Sequence, residues 1–564
     1  MSEFTKQAGA ETEAIGSYVA QVALMSPEHR QDNLPGHEFS ETNPTAAMVE
    51  LCRSAFARFD EYWVVGHKGD HHRTLADLGV IDPDTDISVS HVHSTLGLRA
   101  QRTVKPPEES SSTYESILTT VNPDIEEHVA NVVDTKRQVC VFMPFPNSGL
   151  SDIIRKQEAE ENFVTTSPVE DPAVFLHIEN KIGFARLVDK AVSENEATET
   201  LRHNVIPWDV LRPGTMYEDL EQRFKLEPGQ AVYLQKALSG GGDGTRRIDS
   251  QERLTTLLQD SEWAHLAELG HIKVTAEVKD AYPANGSGCI VPTEDGDCVV
   301  LLDPPSHKPV GLEALRGKEG SGVGNDWTEQ WPDDVLEQYA ALATAVGKQL
   351  YREFGYTGMF GPDCLVQTRE DGYRLYMNEI NPRWQGTTPY QTYNALSADR
   401  VPLELVHYAV KLDDGSLLPD ILKSIGDPEE YNTISLRQSG CFYMKIGGPK
   451  IRQTVKADLN GNYIYCEEGL IGPYDDVSGI EIATGRTAHP ALSAHMTALR
   501  AEGKQPMMVS VKGPGVGETV GGELAPIGYI VGKGEQPVFT SQQPGVTPLG
   551  NNLFQTVTKT MLGN

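Results

Sequence analysis

The chain has 564 residues and carries 80 aspartates and glutamates against 48 lysines and arginines, a formal net charge of -32. A surface this acidic repels phosphate polyanions and anionic lipid, which puts nucleic acid and membrane surfaces at the bottom of the list of partners. Hydrophobic residues at 39% and charged residues at 23% lie near globular norms, so the acidity does not mark disorder.

The length predicts about three to four domains. The seven cysteines (Cys52, Cys140, Cys289, Cys298, Cys364, Cys441 and Cys466) are scattered and contain no C-x-x-C pair, which disfavours a disulfide framework or a cysteine zinc site. The start lacks a basic stretch leading into an apolar one, and no run approaches 18 apolar residues. The expectation is a soluble protein of the cytoplasm.

In chain order, the first forty residues are polar, with one short helix expected around 18–25. Helical spacing in AAMVELCRSAFARF and buried-strand runs YWVVG and VCVFMPFP predict an N-terminal α/β domain over 1–165. From Val174 a strand entering a helix leads to AVYLQKALSGGGDGTRRI, an alternating run broken by glycines. Asp295-Gly296 and Asp371-Gly372 each lie between apolar runs and predict hairpins. Between them Leu336, Tyr339, Ala343, Val346 and Leu350 predict a helix capped by Asp333 or Asp334 and ended at Gly355. This middle region is assigned 166–395. The rest, 396–564, reads as mostly strand and is taken as a β-rich third domain.

Two segments carry chemistry. In the loop Ser239-Gly240-Gly241-Gly242-Asp243-Gly244-Thr245, glycines let backbone N–H groups approach a phosphate, and Lys236 supplies counter-charge. It ends in neither a Walker motif nor a dinucleotide fingerprint, and alone it is weak. The segment Gly361-Pro-Asp363 with Tyr376-Met-Asn-Glu379-Ile-Asn381-Pro-Arg383 says more. Glu379 and Asn381 share one face of a strand while Ile380 points to a core. With Asp363 from the partner strand they make a hard oxygen set suited to Mg²⁺ completed by nucleotide phosphates. Register sets a condition. A two-residue turn of Asp371 and Gly372 would pair Asp363 with Ile380, on the wrong face, so the site requires an odd-length loop or a bulge.

With these residues in hand, the chain resembles the ATP-grasp superfamily over about 174–395. GYTGMFGPDCLV with DGYRLYMNEINPR looks like its metal-binding end, VYLQKALSGGGDGTRRI like its phosphate-covering loop, and ENKIGFARLVDKA like its first helix with a nucleotide-contacting lysine. The resemblance implies an ATP-grasp fold of α/β and α+β type, with a pre-grasp domain before it and the β-rich domain after it. It implies ATP on Lys181, Lys236, Gly240, Gly241, Gly242, Gly244 and Thr245, a hinge at 274–278 with Glu277 on the ribose, and one or two Mg²⁺, or Mn²⁺, on Asp363, Glu379 and Asn381. Arg383, Lys236 and Arg246 would be catalytic, with Arg247 the competitor of Arg246 because consecutive strand residues face opposite ways. The implied activity is an ADP-forming ligase that activates a carboxylic acid as an acylphosphate and condenses it with an amine.

The alternatives are a phosphotransferase acting on a small molecule and a nucleotide-binding regulator without catalysis. The partners expected are small acid and amine substrates and a second copy of the chain in a homodimer. The absence of an Ala-Met-Lys-Met acceptor counts against a biotin-dependent carboxylase. The histidines 67, 71, 72, 91 and 93 are read as loop residues rather than as a metal site.

Overall fold

A computed structural model describes residues 44–64, 74–75, 78, 80–81, 125–143, 146–194, 201–239, 244–317, 320–413, 415–474, 477, 479–485, 487, 489–521, 526–541 and 545–563. The helix expected at 18–25, the histidines at 67, 71, 72, 91 and 93, and Gly240, Gly241 and Gly242 lie outside these residues.

The chain folds as a mixed α/β, multidomain protein. Near its start, α1 (Pro44–Phe56), β1 (Glu61–Val64), α2 (Ile125–Thr135), β2 (Val139–Phe142), α3 (Ser148–Lys156) and β3 (Phe163–Thr165) build a parallel sheet in the order β1-β2-β3. Strand–helix alternation of this kind imposes parallel pairing, because each crossover helix must pack back onto the sheet. Then come α4 (Pro172–Glu179) and α5 (Lys181–Glu194). A four-stranded antiparallel sheet follows, made of β4 (Trp208–Val210), β5 (Val232–Lys236), β6 (Thr245–Ile248) and β7 (Ile272–Ala276) in the order β4-β7-β5-β6. Between its strands run α6 (Tyr217–Phe224), α7 (Gln251–Leu258) and α8 (Ser261–Glu268). Leu234, Ile248, Ile272 and Val274 pack beneath Leu254 and Trp263 of the last two helices.

The largest sheet has twelve strands. It begins with β8 (Ala281–Asn285), β9 (Gly288–Pro292), β10 (Cys298–Leu302), β11 (Ser306–His307), β12 (Gly324–Asp326), β13 (Gly358–Arg369) and β14 (Gly372–Asn381). The long helix α9 (Asp333–Phe354) covers one face, burying Leu336, Tyr339, Ala343, Val346 and Leu350. Pro332 is its N-cap residue, so Asp333 and Asp334 stand in the first turn, where the helix dipole favours them. Gly355 ends it with φ 62°.

The expectation of a mostly stranded chain beyond Ser397 is corrected. After α10 (Thr388–Ser397), the helices α11 (Leu403–Lys411), α12 (Leu418–Ile425) and α13 (Pro428–Leu436) come first. Their apolar faces join the N-terminal domain to the large sheet: Leu405, Tyr408 and Ile421 share a core with Phe56, Phe142 and Cys289. Strands then resume with β15 (Phe442–Gly447), β16 (Gln453–Thr454), β17 (Gly461–Cys466), β18 (Gly469–Tyr474), β19 (Met507–Lys512), β20 (Thr519–Val520) and β21 (Pro526–Lys533), among them α14 (Gly479–Thr484) and α15 (Pro490–Ala501), and α16 (Pro548–Leu562) closes the chain. β15 pairs with β12, so the sheet runs unbroken from the middle region into the C-terminal one. Among the described residues no helix is long and apolar enough to cross a membrane.

Candidate functional site

The hairpin of β13 and β14 decides the site. Its turn falls one residue earlier than expected, on Glu370 and Asp371, because Arg369 pairs with Gly372. That turn alone would set Asp363 against Asn378. A bulge intervenes: Asp363 pairs with Glu379, Cys364 pairs with Met377, and Asn378 is left as the extra residue. Met377 and Ile380 therefore both enter the core on one side, while Asp363, Glu379 and Asn381 share the other. The condition set by the sequence is met. The Asp295-Gly296 hairpin differs too: β9 and β10 pair from Pro292 to Cys298, which makes a five-residue loop.

Two carboxylates directly opposed on one sheet face repel each other unless cations stand between them. Here lysines do. Lys308 Nζ lies 2.6 Å from Asp363 Oδ1 and Lys181 Nζ 3.4 Å from Glu379 Oε2. Asn285 donates to Asp363 Oδ1 at 2.7 Å and Asn381 to its Oδ2 at 3.2 Å, while Arg383 donates to Asn381 Oδ1 at 2.7 Å. Burial would raise the Glu379 carboxyl, but the ammonium groups of Lys181, Lys308 and Lys273 outweigh it and hold Glu379 below the usual carboxylate range. Three ammonium groups (Lys181, Lys273 and Lys308) thus stand about the two carboxylates, with Arg383 held next to them on Asn381.

Lys181 is placed by its helix start. Asn180 Oδ1 accepts from the backbone of Ile182 at 2.9 Å and Gly183 at 3.1 Å, capping α5. The Lys181 amide donates to Ala237 O at 2.9 Å, tying the helix to the end of β5. Its ammonium donates to Ser239 O at 2.8 Å, at the mouth of the glycine loop. A Cβ on Gly183 would stand 2.4 Å from His177 O, so only glycine lets α4 and α5 meet this closely.

The other predicted residues divide. Lys236 pairs with Ile272 in the register and faces α7 and α8, where its ammonium lies 2.6 Å from Glu262 Oε1 and 5.2 Å from the Trp263 ring. Arg246, 5.7 Å from that ring, turns the same way. In this arrangement neither joins the acid pair, because strand alternation sends them to the helix side. Arg247 takes the opposite face and grips Glu277 with two hydrogen bonds of 2.7 and 3.0 Å. Glu277 also accepts from the Ala231 amide at 2.9 Å, and chiefly the Arg247 bond holds its carboxyl below the ordinary value. Both Glu277 oxygens are therefore engaged inside the protein rather than open to a ribose. Gly244 and Thr245 return the chain into β6, and a Cβ on Gly244 would stand 2.2 Å from Ser239 Oγ.

Asp363 and Glu379 suit a hard divalent ion, whereas Asn381 presents its amide nitrogen to Asp363 and its oxygen to Arg383. Among the described residues no group of three or more His, Cys, Asp or Glu could hold a metal. An ion between these two carboxylates must complete its shell with phosphate or water oxygens, the habit of Mg²⁺. The sequence reading missed Lys273, Lys308, Asn285 and Gln385. Lys273 did leave a signal, a lysine inside the apolar strand IKVTA. Gln385 accepts from Asn285 at 3.0 Å and donates to Gly286 O at 3.0 Å, which locks the floor of the site.

No protein-family model matches the chain, and no curated protein matches it. Similar solved structures include the biotin carboxylase domain of Hydrogenobacter thermophilus 2-oxoglutarate carboxylase, solved as a dimer with MgADP, ADP and bicarbonate (13% identity, TM-score 0.44, covering 84% of this chain and 86% of that one). Another is Campylobacter jejuni biotin carboxylase (14%, 0.44, 85% and 88%). A third is N5-carboxyaminoimidazole synthase from Aspergillus clavatus with ADP and an aminoimidazole ribonucleotide (12%, 0.43, 84% and 93%). Every TM-score here is below 0.5, and what distinguishes the chain's own site is two carboxylates on one sheet face with three lysines about them.

Proposed function

We propose that this protein is an ADP-forming, ATP-dependent ligase of the ATP-grasp type, which activates a small carboxylic acid as an acylphosphate and joins it to an amine. The observation that carries the reading is the Asn378 bulge, which brings Asp363 and Glu379 to one face beside Lys181, Lys308 and Lys273, with Arg383 next to them on Asn381. It is supported by Lys181, whose ammonium links the mouth of the glycine loop to Glu379, so that the three sequence segments of the resemblance meet at one point.

Asp363 and Glu379 would hold Mg²⁺, which neutralises phosphate oxygens and makes the γ-phosphorus a better electrophile. Lys181 binds the phosphate chain and the loop together. Lys308 and Arg383, on either side of Asp363 and Asn381, gather the carboxylate of the acid. A carboxylate oxygen attacks the γ-phosphorus, the bond to ADP breaks, and the acylphosphate stays in the positive pocket. The amine nitrogen then attacks the acyl carbon, and phosphate leaves with the amine's proton. Arg383 stabilises the negative oxygen of the tetrahedral intermediate.

The test is an ADP-release screen with pooled amino acids, small carboxylic acids and amines, followed by mass measurement of products. ADP and a condensed product that appear only with both an acid and an amine support the ligase. A phosphorylated small molecule formed without an amine would replace it with the phosphotransferase.

A further inference from the structure

Two buried polar side chains face each other across β5 and β7 of the four-stranded sheet. Lys273 stands inside a buried strand at 3% exposure. Opposite it, Gln235 is buried with a side-chain oxygen that meets no donor among the described residues. Interior ammonium groups and orphaned carboxamide oxygens are both costly, so their presence side by side needs a cause.

The register supplies one. Gln235 pairs with Lys273 and Tyr233 with Thr275, so these side chains share a face. Lys236 pairs with Ile272 and Leu234 with Val274 on the other face, the one filled by α7 and α8. Lys273 is thus the sheet lysine that looks toward β14. Its ammonium donates to Asn378 O at 3.3 Å, the carbonyl of the bulge residue that has no partner on β13. It also lies near enough to Lys181 and Glu379 to interact with both charges. One side of its stem borders an apolar recess lined by Phe184, Val188, Trp208 and Met377, so the charge is fixed in direction.

We infer that Lys273, rather than Lys236, is the lysine of this sheet that serves the nucleotide-phosphate site. It acts as a positioning residue: it holds the Asn378 bulge that sets Glu379 opposite Asp363, and it adds a fixed positive charge behind the phosphates. Gln235 stands beside it with an acceptor still to be filled. The inference rests on the proposed function. A buried charge of this kind is unfavourable alone and is compensated when a polyanion arrives, so its effect scales with the number of phosphates on the ligand.

The experiment titrates the full chain with ATP, ADP, AMP and adenosine in the presence of Mg²⁺ by calorimetry, with thermal melts to confirm folding. Lys273→Met is expected to weaken ATP and ADP at least tenfold, to leave adenosine unchanged, and to raise the Mg²⁺ concentration at which ATP binding is half-maximal. Lys273→Gln, which keeps a donor for Asn378 O without the charge, falls between and carries the test if the methionine variant does not fold. Lys236→Met binds ATP as the wild type does. The inference is overturned if a folded Lys273 variant keeps wild-type ATP affinity, or if Lys236→Met loses it. Wild-type protein that binds no ATP overturns the proposed function itself, and this inference with it.

Discussion

Asp363 and Glu379 face each other across β13 and β14 because one residue, Asn378, is inserted between the pairs on either side of it. In an unbulged register of the same sequence Asn378 would oppose Asp363, and Glu379 and Asn381 would turn to the core side with Met377. The insertion also leaves a carbonyl for Lys273, so one local irregularity both aims the acids and anchors a cation.

Removing one acid unbalances this cluster. Glu379→Gln takes the counter-charge from Lys181 and from Lys273. Turnover, read as ADP release, is expected to fall at least about 100-fold, the scale of losing one well-placed electrostatic group. The melting temperature falls as well, since buried ammonium groups are left unpaired. A variant with full turnover would exclude the acid pair from catalysis.

Gly361 is held small by Gln385. A Cβ on Gly361 would lie 1.7 Å from Gln385 Nε2, so Gly361→Ala must push that carboxamide off Asn285 and Gly286 O. Broken buried hydrogen bonds of this kind cost about 1–3 kcal/mol. Chemical denaturation should show that loss, and adding Gln385→Ala to the glycine variant should recover part of it.

Arg400 and Asp303 form an interior ion pair at 2.6 Å, with side chains 6% and 2% exposed. It ties the segment before α11 to the end of β10. Arg400→Met takes the cation from a carboxyl that burial already raises above the ordinary value, and is expected to cost about 3–5 kcal/mol. Arg400→Met with Asp303→Leu should be markedly more stable than the single variant, measured by the same unfolding curves.

His407 gives the fold an acid-sensitive point. Burial, and after it the neighbouring Lys411, lowers its pKa from 6.5 to about 3, and its Nδ1 accepts the Met359 amide at 3.2 Å. The unfolded chain takes up this proton below about pH 6.5 while the folded chain does not. The stabilisation is therefore complete above pH 6.5 and declines as the pH falls toward 3, by up to about 4 kcal/mol. His407→Asn, which keeps an acceptor but no titrating group, should flatten the pH dependence of the melting temperature between pH 6.5 and 4.

Much of this was legible in the chain before folding. Composition alone gives the strong acidity, a net charge of -32. Apolar spacing marks α9 and Gly355 its end, and the pair Glu379 and Asn381 around Ile380 declares a strand with a polar face and a buried one. The segment from 397 to 441 was misread because its helices are short and their apolar residues meet partners far away, in the N-terminal domain and the large sheet.

Local pattern determined which residues are of ligand type, since side-chain chemistry and a period of two are carried by neighbours in sequence. Tertiary structure decided which of them meet. The turn fell on Glu370 and Asp371, the bulge shifted the phase of β14, and the register of β5 against β7 sent Lys236 to the helices and Lys273 to the acids. Each outcome depends on how one strand lies against another. A single-residue difference in pairing reverses every side chain's face, and no stretch of sequence by itself contains that information.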